Sequence, residues 1–214
     1  MRRVSLRWVL FAGLACAAIG GGAQAQAATV APPPGALVER VRASGTGCPD
    51  PDDVSVAFSP DGGSLVVGFG PGQLAAEVGP EVPEHALSRS CRIQLDLAIP
   101  PGYQMSIDEA IYQAHGDLDF GVLARHTTRY SFQGTRAPAR VARNVGPHSG
   151  AYTVSSQFGP AAVWSGCGVD RRLTLQTSVG VTNVGNPQGY GYVDGGGSTG
   201  LIVYNLSWSR CLTW

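Results

Sequence analysis

Lysine is absent from this 214-residue chain, and charged residues of any kind make up only 14% of it. A protein that neutralises phosphates needs clustered cations, and here fifteen arginines face fifteen acids, so nucleic acid is not an expected partner. The nearest approach to a basic run, Arg136, Arg140 and Arg143, is broken by Pro138 and reads as a solvated loop or edge strand. No apolar run reaches the roughly 20 residues a membrane helix needs, so no transmembrane segment is expected. Cys-x-x-Cys pairs are missing, which argues against zinc. A Gly-x-Ser-x-Gly elbow is missing too, and the glycines fit neither a phosphate loop nor a dinucleotide fingerprint. Neither a metal nor any other cofactor is expected. Helical periodicity is also scarce: residues 77–89 have helical composition in places, but Gly79, Pro80 and Pro83 interrupt it.

The five cysteines divide into two kinds. Cys16 lies within an N-terminal export signal, residues 1–25, built from Arg2, Arg3 and Arg7, a short apolar stretch over 8–19, and the small-x-small site Ala23-Gln24-Ala25. A lipoprotein reading through Cys16 fails on residue order, and Arg2-Arg3 is only a partial twin-arginine pattern because Ser5 follows where an apolar residue is favoured. Removing the signal leaves 12 arginines against 15 acids, a formal charge of about −3. It also leaves Cys48, Cys91, Cys167 and Cys211, an even set behind an export signal, which implies two disulfides and a secreted location, extracellular or periplasmic. Three pairings are possible and spacing alone does not choose among them. The preferred pairing is Cys48 with Cys91 and Cys167 with Cys211, each closing a loop of about 44 residues worth about 4 kcal/mol.

Residues 26–43 are Ala/Pro-rich, with Pro32-Pro33-Pro34 at the centre, and are expected to be a disordered or loosely docked leader to a single domain over 44–214. Within that domain the period is two. Val54, Val56 and Phe58 alternate with polar or small residues, Ser59-Pro60-Asp61-Gly62-Gly63 turns the chain, and residues 65–69 return. Over 92–99, Ile93, Leu95, Leu97 and Ile99 face one way while Arg92, Gln94 and Asp96 face the other. Further strands are expected at 103–115, 122–132, 152–155, 173–181 and 201–208. Short strands about ten residues apart with Gly/Pro turns predict an all-β fold: an antiparallel β-sandwich, jelly-roll-like or a flattened barrel, stapled by two disulfides.

A set of short motifs occurs in order. It starts with Gly45-Thr46-Gly47-Cys48-Pro49, Ser59-Pro60-Asp61-Gly62, Val78-Gly79-Pro80 and Cys91-x-Ile93-x-Leu95-x-Leu97. It continues with Pro100-Pro101-Gly102-Tyr103, Leu118-x-Phe120-Gly121-Val122, Trp164-Ser165-x-Cys167-Gly168 and Leu206-Ser207-Trp208-Ser209-Arg210-Cys211. Together these resemble the secreted family catalogued as domain of unknown function 4360, of bacteria and filamentous fungi. The resemblance spans nearly all of 44–211, with one departure: Ser90 stands where members often carry Asn. It implies a secreted, disulfide-bonded, mostly β domain and transfers no catalytic residue.

Two polar groupings are candidate ligand sites. His115, Asp117 and Asp119 share one face of an extended segment, where a histidine and carboxylates can hold a cation or exchange protons; Leu118 and Phe120 on the other face fit an ordinary amphipathic strand equally well. Tyr190, Tyr192 and Asp194 lie in a long Gly-rich connection, residues 185–200, expected as a mobile loop offering phenol rings to a sugar or a protein. Trp164 and Trp208 flank the C-terminal cysteines and read as core around that disulfide, while His85 and His126 read as isolated spectators. Pro147-His148-Ser149 sets a histidine beside a serine, but neighbours on a strand diverge. The expected function is a non-enzymatic extracellular binding or surface-associated protein whose unknown ligand is a glycan or a protein. The alternative is a polysaccharide-acting hydrolase with two acids about 5 to 9 Å apart, drawn from Asp96, Asp108, Glu109, Asp117 and Asp119.

Overall fold

Alternating burial runs through most of the chain and sorts it into two packed sheets. A computed structural model describes residues 31–83, 87–167, 171–196 and 200–211. The export signal and His85 lie outside the described residues. Among the described residues the strands are β1 (Leu37–Ser44), β2 (Val54–Phe58), β3 (Ser64–Phe69), β4 (Ala75–Val78), β5 (Ser88–Ala98) and β6 (Tyr103–Leu118). They continue as β7 (Leu123–Phe132), β8 (Ala139–Val145), β9 (His148–Gln157), β10 (Arg171–Thr182), β11 (Gly191–Asp194) and β12 (Leu201–Arg210). Every pairing is antiparallel. One sheet has five strands in the order β1-β5-β10-β7-β8. The other has seven: β2-β3-β12-β6-β11-β4, with β9 on the free side of β6. The expected sandwich is the fold.

The long strand β6 organises the seven-stranded sheet. On one side its first part pairs with β12 and its last four residues pair with β11; along the other side runs β9. Many inward positions of both sheets, among them Leu65, Ile93, Leu95, Ile107, Leu173 and Trp208, are fully buried. Two tyrosines cross between the layers in opposite directions. Tyr112 of β6 reaches the five-stranded sheet, with its hydroxyl 2.5 Å from Thr128 Oγ1 and 2.8 Å from Thr177 Oγ1. Tyr130 of β7 reaches back and donates to the Ile107 carbonyl at 2.9 Å. Burial pushes the Tyr112 hydroxyl up to about 12, so it stays neutral and keeps its hydrogen bonds at every physiological pH.

The disulfides are Cys48–Cys91 and Cys167–Cys211, with Cα separations of 5.3 and 5.8 Å, as the preferred pairing has it. Two expectations need correction. Sheet structure starts at Leu37, inside the expected leader: β1 pairs with β5 from Leu37↔Ala98 to Ser44↔Arg92. A bulge between Val38 and Arg40 shifts the register, so the alternation of Val38, Val41 and Ala43 is out of step and hard to see in the sequence. Trp208 is core, donating its indole N–H to the Gly62 carbonyl at 3.0 Å, but Trp164 is 36% exposed and not part of that core.

Candidate functional site

The two groupings that the sequence presents 75 residues apart, His115 with Asp117 and Tyr192 with Asp194, form one patch. Strand β11 lies between β6 and β4, with Tyr192 opposite Asp117 on one side and opposite Glu77 on the other. Asp194 is opposite His115 and Ala75. Since alternate residues share a face, His115, Asp117, Tyr192, Asp194 and Glu77 all project from the outer surface of the seven-stranded sheet. The 185–200 connection is therefore not a free loop at its tyrosines, because residues 191–194 are a strand paired on both edges. Gly191 explains the local sequence. A Cβ there would lie 2.6 Å from Val122 Cγ1 and 3.0 Å from Val181 Cγ1, so the missing side chain lets β11 press on the core.

Tyr190 sits just before this strand, 42% exposed, and is fixed at both ends. Its amide donates to Asp119 Oδ2 at 2.8 Å, and its hydroxyl donates to Glu77 Oε1 at 2.9 Å. Asp119 therefore leaves the face shared by His115 and Asp117: β6 ends at Leu118, and the carboxylate of Asp119 is turned to the backbone of residue 190. Among the described residues no three His, Cys, Asp or Glu side chains converge as a metal site. Beside the ring of Tyr190 is an open cleft of about 370 Å³, walled by Gly79, Pro80, Glu81 and Val82. Burial raises the phenol of Tyr190 above its ordinary value; its hydrogen bond to Glu77 adds to this, as do the charges of Glu77 and Asp117. Burial raises Tyr192 likewise, helped by Asp194 and Glu77. Both rings are neutral and stand in a negative field.

Glu77 is the residue sequence reasoning missed. It lies 113 residues from Tyr190 in a four-residue strand, too short to show a period. The other acids considered as a catalytic pair are dispersed. Asp96 is on the opposite sheet, where Arg172, Arg42 and Arg40 surround it, and hydrogen bonding from Arg172 leads in lowering its pKa. Asp108 accepts from the Ser207 hydroxyl, and Glu109 from the Ser155 hydroxyl and, at 2.8 Å, from the Asn205 amide. Asn205, the acceptor of a formal glycosylation sequon, is thus committed inside β12. His148 and Ser149 are consecutive in β9 and project to opposite faces.

The model of a family described as Domain of unknown function (DUF4360) matches residues 35–211. An uncharacterized secreted protein of Arthroderma benhamiae is 28% identical over 170 residues, which is 78% of this chain and 68% of that protein. Among solved structures, TmCBM61 in complex with β-1,4-galactotriose aligns with 81% of this chain and 90% of its own, at 16% identity and a TM-score of 0.29. A family 11 carbohydrate-binding module of a Clostridium thermocellum cellulase aligns with 84% of this chain and 89% of its own, at 10% identity and a TM-score of 0.21. Superpositions this loose carry no argument about a ligand. This chain is a secreted protein, in keeping with its relative and with disulfides that persist in oxidising compartments.

Proposed function

Because the chain belongs to the DUF4360 family, whose description assigns no activity, we propose a function from its own geometry: a secreted, non-enzymatic protein that binds an uncharged glycan at the Tyr190–Tyr192 end of its seven-stranded sheet. The observation that carries this is the register of β11, which sets Tyr192 between Asp117 and Glu77 with Tyr190 beside them. Phenol rings offer flat apolar contact to the C–H face of a sugar at little entropic cost. Carboxylates accept hydrogen bonds from sugar hydroxyls, and the same negative field disfavours anionic ligands. The cleft beside Tyr190 lets a chain end or branch enter alongside the rings.

Non-enzymatic binding is favoured because two of the carboxylates beside the rings have positioning work. Glu77 holds the hydroxyl of Tyr190, and Asp119 holds its amide. The test is a neutral-glycan array followed by calorimetry on the hits, comparing the wild type with a Tyr190→Ala/Tyr192→Ala variant. At least one neutral glycan should bind and be weakened about tenfold or more by the double substitution. Binding untouched by it defeats the site. Cleavage of labelled polysaccharide that disappears in Asp117→Asn replaces binding with hydrolysis.

A further inference from the structure

Arginine is distributed unevenly between the two layers. Strands of the five-stranded sheet carry ten arginines and two acids, whereas those of the seven-stranded sheet carry one arginine and five acids. Register brings seven of the ten to one outer face. One row across the strands reads Ser44, Arg92, Gln176, Arg129, Arg140, and the next reads Arg42, Gln94, Thr174, Ser131. A third is Arg40, Asp96, Arg172, and Arg125 lies beyond the first row, opposite Gly180. Of the two acids, Asp96 is the one within these rows and is shared by Arg40, Arg42 and Arg172; Glu39 falls in the bulge of β1.

Four exposed arginines, Arg92, Arg125, Arg129 and Arg140, have no carboxylate partner among the described residues. Arg129 and Arg140 stand directly opposite each other on β7 and β8, an arrangement of like charges that costs stability. Arg92 and Arg129 are two strand spacings apart, roughly 10 Å, with Gln176 between them. Between them is a depression of about 150 Å³ lined also by Thr174, Ser131 and Pro138.

We propose that this face is a second binding surface, for an extracellular polysaccharide bearing a carboxylate on each sugar. Unpaired guanidinium groups are complementary to carboxylates and can fork onto them, which a lysine surface cannot do. Gln94, Gln176, Thr174 and Ser131 sit among the arginines, where their amides and hydroxyls meet sugar hydroxyls. The outward positions of these rows hold no aromatic side chain, so the surface offers no platform for stacked bases, and a secreted protein meets acidic polysaccharides outside the cell.

The experiment measures binding of mature protein to polygalacturonate, to its fully methyl-esterified form and to a single-stranded oligodeoxythymidine, by calorimetry at pH 7. Polygalacturonate should bind, and the esterified polymer should bind at least about tenfold more weakly. Raising salt from roughly 20 to roughly 200 mM should weaken the complex about tenfold. Arg92→Gln/Arg129→Gln should lower affinity about tenfold or more. That variant should unfold at a temperature equal to or above the wild type's, because it removes a like-charge contact, so lost binding is not lost folding. The Tyr190→Ala/Tyr192→Ala variant should bind polygalacturonate as the wild type does, which separates failure here from failure of the neutral-glycan site. No binding at low salt, equal binding of the esterified polymer, or an unchanged double variant overturns the proposal; tighter binding of the oligonucleotide replaces it with a nucleic-acid surface.

Discussion

Acidifying the protein from pH 7 to pH 4 isolates the burial of one imidazole. His126, on β7, is 1% exposed and packs between Tyr112, 4.8 Å away by ring centroids, and Tyr152, 5.7 Å away. Its Nε2 is 2.9 Å from the Tyr152 hydroxyl, and its Nδ1 meets no hydrogen-bond partner among the described residues. The neutral ring is best served by carrying its proton on Nε2 and donating it to Tyr152, since a bare lone pair at Nδ1 costs less than an orphaned N–H. Protonating Nδ1 would create that orphan together with a buried charge, and burial pushes the pKa from 6.5 down to about 4. The sign follows from linkage. Above about pH 6.5 the imidazole is neutral in both states and costs nothing. As pH falls toward 4 the unfolded chain takes up a proton that the folded chain refuses, so stability falls, and below 4 the loss levels off. The gap is worth about 3 kcal/mol. Urea unfolding, followed by the fluorescence of the tryptophans, including buried Trp208, should show the wild type losing about 3 kcal/mol more than His126→Gln between pH 7 and pH 4. The carboxylates of Asp61 and Asp96, held below 3.8 chiefly by hydrogen bonds from Ser59 and Arg172, give stability that is present above 3.8 and fades below it. That loss falls outside the window and is common to both proteins. Parallel pH profiles for wild type and variant, or an NMR titration placing His126 near 6.5, would refute the reasoning.

Two further substitutions probe packing. Tyr112→Phe keeps the ring but removes the hydroxyl that bonds Thr128 and Thr177 in the interlayer space, leaving Tyr204 as the phenol beside both threonines, and should cost about 1 kcal/mol in urea unfolding at pH 7; a loss above about 3 kcal/mol would mean that Tyr204 takes up none of these bonds. Gly191→Ala puts a methyl group onto Val122 and Val181 and should cost about 1 to 3 kcal/mol. It should also displace the flanking tyrosines, so it weakens binding at the Tyr190 end while leaving the arginine face unaffected, which calorimetry with both ligand types checks.

What could be read from the sequence was alternation sustained over five residues or more. The alternation of Ile93, Leu95 and Leu97 places β5, and that of Leu173, Leu175 and Val179 places β10, because these positions are apolar, point inward and are fully buried. Strand β4 and strand β11 hide because four residues carry too little pattern, and β1 hides behind its bulge. The candidate site was legible as residue types but not as a place. Tyr192 and Asp194 were grouped together, as were His115 and Asp117, yet only the pairing of β11 with β6 makes them neighbours, and Glu77 enters by tertiary contact alone. Asp119 was lost from its group for a local reason: the strand ends one residue earlier, and the side chain caps the returning backbone.

Charge was the least legible property, and the reason is geometric. A sandwich sends alternate residues of each strand outward, so a surface row draws one residue from each strand, and its members are far apart in sequence. Arg92, Arg129 and Arg140 share a row although 37 residues separate the first two, and the linear run at 136–143 contributes just one of the three. A formal charge of about −3 averages two outer faces of opposite sign, so composition argues correctly against a cationic protein and incorrectly against a cationic surface. The segregation also has an energetic consequence. Spreading the four arginines that lack a carboxylate partner among the described residues over the acids of the other sheet would relieve repulsion across the β7–β8 pair; keeping them together costs stability. A ligand that neutralises them recovers it on binding, so polyanion should raise the unfolding temperature of the wild type more than that of Arg92→Gln/Arg129→Gln, in proportion to their affinities.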